Sequence, residues 1–212
     1  MKNSEESLKK FSLAIRVWHW LNAIAITGLL LTVLINSTLT DRETAISVYQ
    51  QYEKNIATDN AQIKAVAHAL SEQVWAIHIY FGYGLVALFF IRLLLEFYQA
   101  KHQKFASNLT ESYQQLKASK NKFSLKLDKF WVKLIYLLFY VLTLIMVVTG
   151  LLIVFKKELH IPKSISHDIK EIHGFCMYLI LSFIALHLFG VIKAEATDQK
   201  GIVSDMINGG DI

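Results

Sequence analysis

Four long apolar stretches constrain the fold of this chain more than any other feature of its sequence. Each has about 19 to 26 residues, which is enough to cross a hydrocarbon core of about 30 Å as a tilted α-helix. The stretches are residues 17–35, 74–97, 130–155 and 172–192. They predict an all-α integral membrane protein, a four-helix bundle in which residues 1–212 form a single domain.

The composition also favours a membrane protein. Hydrophobic residues make up 54% of the chain and charged residues 18%, whereas soluble domains are less apolar and more charged. The formal net charge of +5 would suit nucleic acid as well. However, the excess lysine and arginine lies between the apolar stretches, which is typical of a topology signal. We therefore expect membrane lipid around the protein and no nucleic-acid partner.

The basic residues predict the orientation in the membrane. If the N-terminus, the 98–129 connection and the C-terminus share one side, that side holds 15 lysines and arginines and the other holds 7. Because cytoplasmic loops are enriched in these residues, both termini are predicted to be cytoplasmic. The first stretch is too long for a signal peptide and lacks its cleavage site, so we interpret it as a retained helix. The long outer loop, residues 36–73, carries an apolar stripe that predicts a helix from about Asn60 into the second span.

Four of the eight histidines lie within the apolar stretches or at their edges. His173 and His187 are separated by thirteen uncharged residues, so both rings face one side of a helix, about 21 Å apart along its axis. His19 lies near the predicted inner end of the first span, and His78 near the predicted outer end of the second. Matched depth therefore gives an inner pair, His19 with His187, and an outer pair, His78 with His173.

This pairing favours a bound cofactor over ordinary packing. A lone histidine in an apolar span is usually satisfied by a neighbouring helix, but four uncompensated rings in lipid would be costly. Two facing imidazoles suit the axial positions of haem iron. A zinc site would need about four ligands, with cysteines or carboxylates among them, and Cys176 is the only cysteine. The chain has no C-x-x-C-H motif, so the prediction is two non-covalent haem b groups.

Three cations lie close to these histidines in the sequence. Arg16 precedes His19 by three residues, and Lys170 precedes His173 by three. Arg92 follows His78 by fourteen residues, which puts it on nearly the same helix face at the depth of the inner pair. Cations at the aqueous boundary could bind haem propionates, and snorkelling at the membrane surface explains each of them equally well.

These residues also carry a resemblance to a known family. The segment Arg16-Val17-Trp18-His19-Trp20 resembles the R-x-x-H-W signature of the bacterial cytochrome b561 and nickel–iron hydrogenase b-type cytochrome family. The H-x13-H of the last span, one histidine early in the second span and none in the third are also similar. The closing segment, residues 194–206, resembles the tails of electron-transport members. The resemblance covers residues 11 to 210.

The resemblance implies a multi-pass, di-haem cytochrome b of the bacterial inner membrane. By this resemblance, His19 and His187 match the ligands of the inner haem, and His78 and His173 those of the outer haem. Members pass electrons between quinone or quinol and a partner redox protein, such as a hydrogenase, a dehydrogenase or reductase, or a cytochrome c. Whether the protein forms a homodimer is left open. The long 36–73 and 98–129 connections depart from compact members, and they leave the partner open because external segments are where a partner docks.

Electron transfer is the function that this ligand set favours. A haem with two histidine ligands has no open coordination position, so it carries electrons more readily than it binds oxygen. No acid–base catalytic residue is predicted, and quinone is the expected substrate. Two alternatives stay open at this point: a superoxide:quinone oxidoreductase of the same fold, and a haem-free transporter that uses intramembrane histidines as a relay.

Overall fold

The computed structural model describes residues 11–52, 60–98, 123–197 and 200–210, and all regular secondary structure among them is α-helical. Six helices follow one another along the described chain. They are α1 (Leu13–Thr38), α2 (Arg42–Tyr52), α3 (Asn60–Tyr98), α4 (Phe123–Val154), α5 (Lys163–Ala196) and α6 (Ile202–Asn208). Most of the predicted inner connection, residues 99–122, lies outside the described residues.

Four of these helices, α1, α3, α4 and α5, are long and apolar enough to cross a membrane. The predicted fold class, an all-α membrane protein with four spans, is therefore confirmed. Each of the four helices begins before its predicted apolar stretch, because backbone hydrogen bonds continue through polar residues outside the hydrocarbon region. The cytoplasmic position of the termini and the single domain stay predictions.

The long loop between the first two spans contains helical structure. Helix α3 begins at Asn60, as the apolar stripe predicted, and Ala67 on that stripe is only 4% exposed. The sequence reading did not predict α2. Its start has a recognisable signal, because the Asp41 carboxylate accepts hydrogen bonds from the Thr44 backbone N–H at 3.0 Å and from the Thr44 hydroxyl at 3.1 Å. An aspartate in this position caps a helix N-terminus.

The chain divides into two compact units. The larger unit comprises Met1–His19 and Phe89–Ile212, and the smaller unit comprises Trp20–Leu88. In the smaller unit, α1 and α3 approach closely at Gly28, where an added Cβ would lie 2.6 Å from the ring of Phe81. Carbon atoms in contact are about 3.5–4.0 Å apart, so only glycine leaves room for this ring without a shift.

In the larger unit, α4 and α5 form an antiparallel pair. The link between them ends at Pro162, which occupies the N-cap position of α5. Phe139 of α4 stacks on Phe183 of α5, and Thr149 contacts His173. Ten residues separate the two positions on each helix, and the partners run in opposite directions. This register places side chains of α4 against the histidines of α5.

The short helix α6 lies beside the start of α1 in the larger unit. The Phe11 backbone N–H donates to the Gly209 carbonyl at 3.0 Å. The Arg16 guanidinium donates to the Ile207 carbonyl. These two hydrogen bonds bring both ends of the described chain together at the same end of the larger unit.

Candidate functional site

The two rings of the inner pair meet within the larger unit. His19 lies in the second turn of α1, and His187 lies in the last third of α5. Their ring centroids are 6.3 Å apart, and their planes are inclined by 54°. Both side chains are partly buried. Histidines separated by most of the chain length thus form one local pair.

Aromatic side chains hold the His187 ring in place. Phe183, one turn earlier on α5, stacks on it with a centroid distance of 5.9 Å and an interplanar angle of 7°. The Tyr136 hydroxyl of α4 lies 3.4 Å from the Nδ1 atom of His187. These contacts restrict rotation of the imidazole about its side-chain bonds.

The His173 ring lies against α4 at the other end of the α4–α5 pair. Its Nδ1 atom is 2.8 Å from the hydroxyl of Thr149, a residue that is 7% exposed. At the adjacent Gly150, an added Cβ would lie 3.3 Å from the Cε1 atom of His173. That distance is tighter than ordinary contact, so a small residue at this position gives the ring its room.

The His78 ring has similar surroundings within the smaller unit. Its Nδ1 atom is 2.8 Å from the hydroxyl of Thr32 in α1, which is 5% exposed. Trp75, one turn earlier on α3, contacts the ring edge-on at a centroid distance of 5.3 Å. His78 and His173 belong to different units, and the outer pairing stays a prediction.

Arg92 lies in a buried polar cluster of the larger unit. Its side chain donates to the Tyr140 hydroxyl and to the Glu96 carboxylate, each at 3.0 Å. Its guanidinium also lies 5.8 Å from the centroid of the Trp18 ring. The sequence predicted Arg92 at the depth of the inner pair, but the ion pair with Glu96 was not predicted. The Glu96 carboxylate balances the charge of Arg92. If Arg92 also bound a haem propionate, it would do so while keeping its ion pair with Glu96.

The other two predicted cations differ in environment. Arg16 is partly buried, and its Nε atom has no hydrogen-bond partner among the described residues. Lys170, by contrast, is exposed on the first half of α5. Of the two, Arg16 is the one whose donor group is already withdrawn from water.

Three hydroxyl residues beside the histidines were not predicted from the sequence. They are Thr32, Tyr136 and Thr149, and each lies near the Nδ1 atom of one of the four histidines. The third predicted span contains no histidine. It supplies two of these hydroxyls. The sequence signal that could have identified these three residues is a hydroxyl group within a strongly apolar helix.

Comparison with known protein families gives a match over nearly the whole chain. The family model described as prokaryotic cytochrome b561 matches residues 10–209. The chain belongs to this family. The resemblance predicted from the motifs is therefore confirmed, and the b561 family implies a membrane cytochrome that transfers electrons with haem b. No curated protein and no solved structure matches the chain significantly.

The inner pair of this b561 family member fits haem b. If two imidazole nitrogens lie about 2 Å from a metal between them, the ring centres are roughly 6 Å apart. The observed separation of His19 and His187 is 6.3 Å. Within the described ranges, no group of three or more His, Cys, Asp or Glu side chains could hold a metal ion, as a tetrahedral site would require. Two donors are sufficient for haem, because the macrocycle supplies the remaining ligands.

Proposed function

We propose that this chain is a di-haem b-type cytochrome that carries electrons between membrane quinone and a partner redox protein. His19 and His187 would hold the inner haem, and His78 and His173 the outer haem. The observation that carries the proposal is the 6.3 Å separation of the two inner imidazoles. Each bound haem would supply a one-electron carrier, while the protein supplies its position and potential.

The ligand set favours electron transfer over chemistry at the metal. Two histidines fill both axial positions, which leaves no open site for oxygen or substrate. The ring contacts described above keep the imidazoles oriented, and little rearrangement is then needed when an electron arrives or leaves. Rigid axial ligands therefore suit a haem that acts as an electron carrier.

Helix α5 supports the proposed path across the membrane. It carries one histidine of each pair, fourteen residues apart, which corresponds to about 21 Å along the helix axis. Because one uninterrupted helix separates the two histidines, their spacing is fixed by backbone geometry. The same helix would therefore set the distance between the two redox sites.

Among the predicted cations, Arg16 is best suited to bind a propionate of the inner haem. It lies one turn before His19, and its buried Nε donor would gain a partner from an anionic ligand. Arg92 would also bind a propionate, while keeping its ion pair with Glu96. Lys170 would act from the exposed surface near His173. All three assignments rest on the proposed haem sites.

The orientation and partners follow from the same proposal. The protein would lie in the bacterial inner membrane with both termini in the cytoplasm, as the basic residues predict. Quinone would react from within the lipid. The partner protein would dock on an external segment, for which the 36–73 and 98–129 connections are the longest candidates.

A reduction assay tests the proposed function. The purified full chain in detergent is mixed with a soluble quinol analogue, and the absorbance of reduced b-type haem is followed. We expect the quinol to reduce the haem, and a superoxide generator without quinol to have little effect. Reduction by superoxide alone would instead favour the oxidoreductase alternative. Reduction by neither would contradict the proposed quinone-linked function.

A further inference from the structure

Two buried threonine hydroxyls make the same contact with a histidine in different parts of the protein. Thr32 lies 2.8 Å from Nδ1 of His78 in the smaller unit, and Thr149 lies 2.8 Å from Nδ1 of His173 in the larger unit. We propose that both threonines are positioning residues that keep the histidine proton on Nδ1, so that the coordinating lone pair lies on Nε2. This inference rests on the proposed role of His78 and His173 as haem ligands.

The direction of each hydrogen bond follows from the number of protons on a hydroxyl. A threonine hydroxyl has one proton to donate and two lone pairs that accept. The Thr32 hydroxyl donates to the Leu29 carbonyl at 2.7 Å, and the Thr149 hydroxyl donates to the Ile145 carbonyl at 2.7 Å. A hydroxyl proton that bonds to this backbone carbonyl leaves only the oxygen lone pairs for the histidine. In this arrangement Nδ1 is the donor.

This arrangement selects one tautomer of each imidazole. With the proton on Nδ1, the lone pair of the neutral ring is on Nε2, which is the atom that can coordinate. A donor bond from the other nitrogen also fixes the ring plane and makes the ligand more electron-rich. An electron-rich ligand stabilises oxidised iron more than reduced iron. The two threonines would thus strengthen ligation and lower the potential at the outer site.

The hydroxyl beside the inner pair does not select a tautomer in the same way. The Tyr136 hydroxyl is 3.4 Å from Nδ1 of His187, a longer distance that either group could bridge as donor. The proposed role therefore applies only to the predicted outer pair. Threonine hydroxyls lie beside the histidines of this pair, whereas a tyrosine hydroxyl lies beside His187.

The chain contains a matched control for a buried threonine. Thr143 of α4 is 4% exposed, and its hydroxyl donates to the Phe139 carbonyl at 2.9 Å, in the same way as Thr149. Among the described contacts, Thr143 has none with a histidine. Valine at this position removes an equivalent hydroxyl without touching a proposed ligand.

The test compares Thr32→Val, Thr149→Val and Thr143→Val in the full chain. Haem content after purification and the midpoint potential of each b-type component are measured by redox titration. We expect Thr32→Val and Thr149→Val to weaken retention of one haem about 10- to 100-fold, since loss of a second partner of a ligating histidine has this effect. The haem that remains bound at that site should have a higher potential. Thr143→Val should match the wild type.

Serine variants show whether loss of the hydroxyl causes the changes in haem retention and midpoint potential. Thr32→Ser and Thr149→Ser retain the hydroxyl and should keep retention and potential close to wild type. Valine variants with unchanged retention and potential, or serine variants as impaired as the valine variants, would overturn the inference. A wild-type chain without haem would instead overturn the proposed function on which the inference rests.

Discussion

Replacing His187 with alanine is expected to lower the haem content from two per chain to one. Alanine has no nitrogen to coordinate iron, so the site keeps a single axial ligand and loses its haem during purification. His19→Ala should remove the same haem, because the two rings are 6.3 Å apart. His173→Ala should remove the other haem. The measurements are haem content and the reduced-minus-oxidised absorbance difference of each variant.

The matched control for these variants is His68→Ala. His68 lies in the smaller unit on the first third of α3, where its exposed ring is 3.7 Å from the Glu72 carboxylate. Its removal should leave both haems in place. If His187→Ala and His78→Ala removed the same haem, the pairing by depth would be wrong.

Replacing Arg92 with methionine is expected to destabilise the protein strongly. Arg92 is 8% exposed, and its guanidinium is paired with the Glu96 carboxylate at 3.0 Å. Methionine keeps much of the apolar stem but removes the cation that pairs with the Glu96 carboxylate. Removing one partner of a fully buried ion pair costs about 3–5 kcal/mol. Because the Glu96 side chain is 25% exposed, we expect a loss at the lower end of this range. Denaturant unfolding of the purified protein in detergent measures this loss.

Two further variants distinguish the loss of stability caused by breaking the ion pair from the general effect of removing a cation. The double variant Arg92→Met with Glu96→Gln should recover most of the lost stability, since the charge that Arg92 balanced is removed as well. Lys64→Met removes a cation that is 3.9 Å from Glu43 in an exposed pair. Such pairs contribute less than about 1 kcal/mol. Equal losses for Arg92→Met and Lys64→Met would contradict the role assigned to the buried pair.

The positions of the spans and histidines could be predicted from the sequence. A run of apolar residues is sufficient to identify a span, and a histidine within such a run is conspicuous because a polar ring in lipid is costly. Helix periodicity then relates His173 to His187 without further information. The start of α3 at Asn60 was predictable for the same reason, because its apolar stripe has the helical spacing.

The partners of the histidines could not be predicted in this way. Thr143 and Thr149 lie in the same apolar helix, and both bond to their own backbone, as threonines in helices commonly do. Only the register of α4 against α5 distinguishes the one that contacts His173. That register depends on packing between the helices, which the spacing within a single helix does not specify.

The ion pair of Arg92 was missed for a different reason. Arg92 and Glu96 have the i, i+4 spacing that brings opposite charges together on a helix. The prediction instead related Arg92 to His78, because the two residues lie on nearly the same face of one helix. Both relations are compatible with one helix, and the 3.0 Å distance between the Arg92 guanidinium and the Glu96 carboxylate shows that the ion pair is formed.

The haem content of the purified wild-type chain tests the central claim most directly. The amount of non-covalent haem b is measured per polypeptide, together with the spin state of the oxidised iron. Two haems per chain, both low-spin as expected for two histidine ligands, is the predicted result. A chain without b-type haem, or with a single haem, would contradict the assignment of His19, His78, His173 and His187 to two bis-histidine sites.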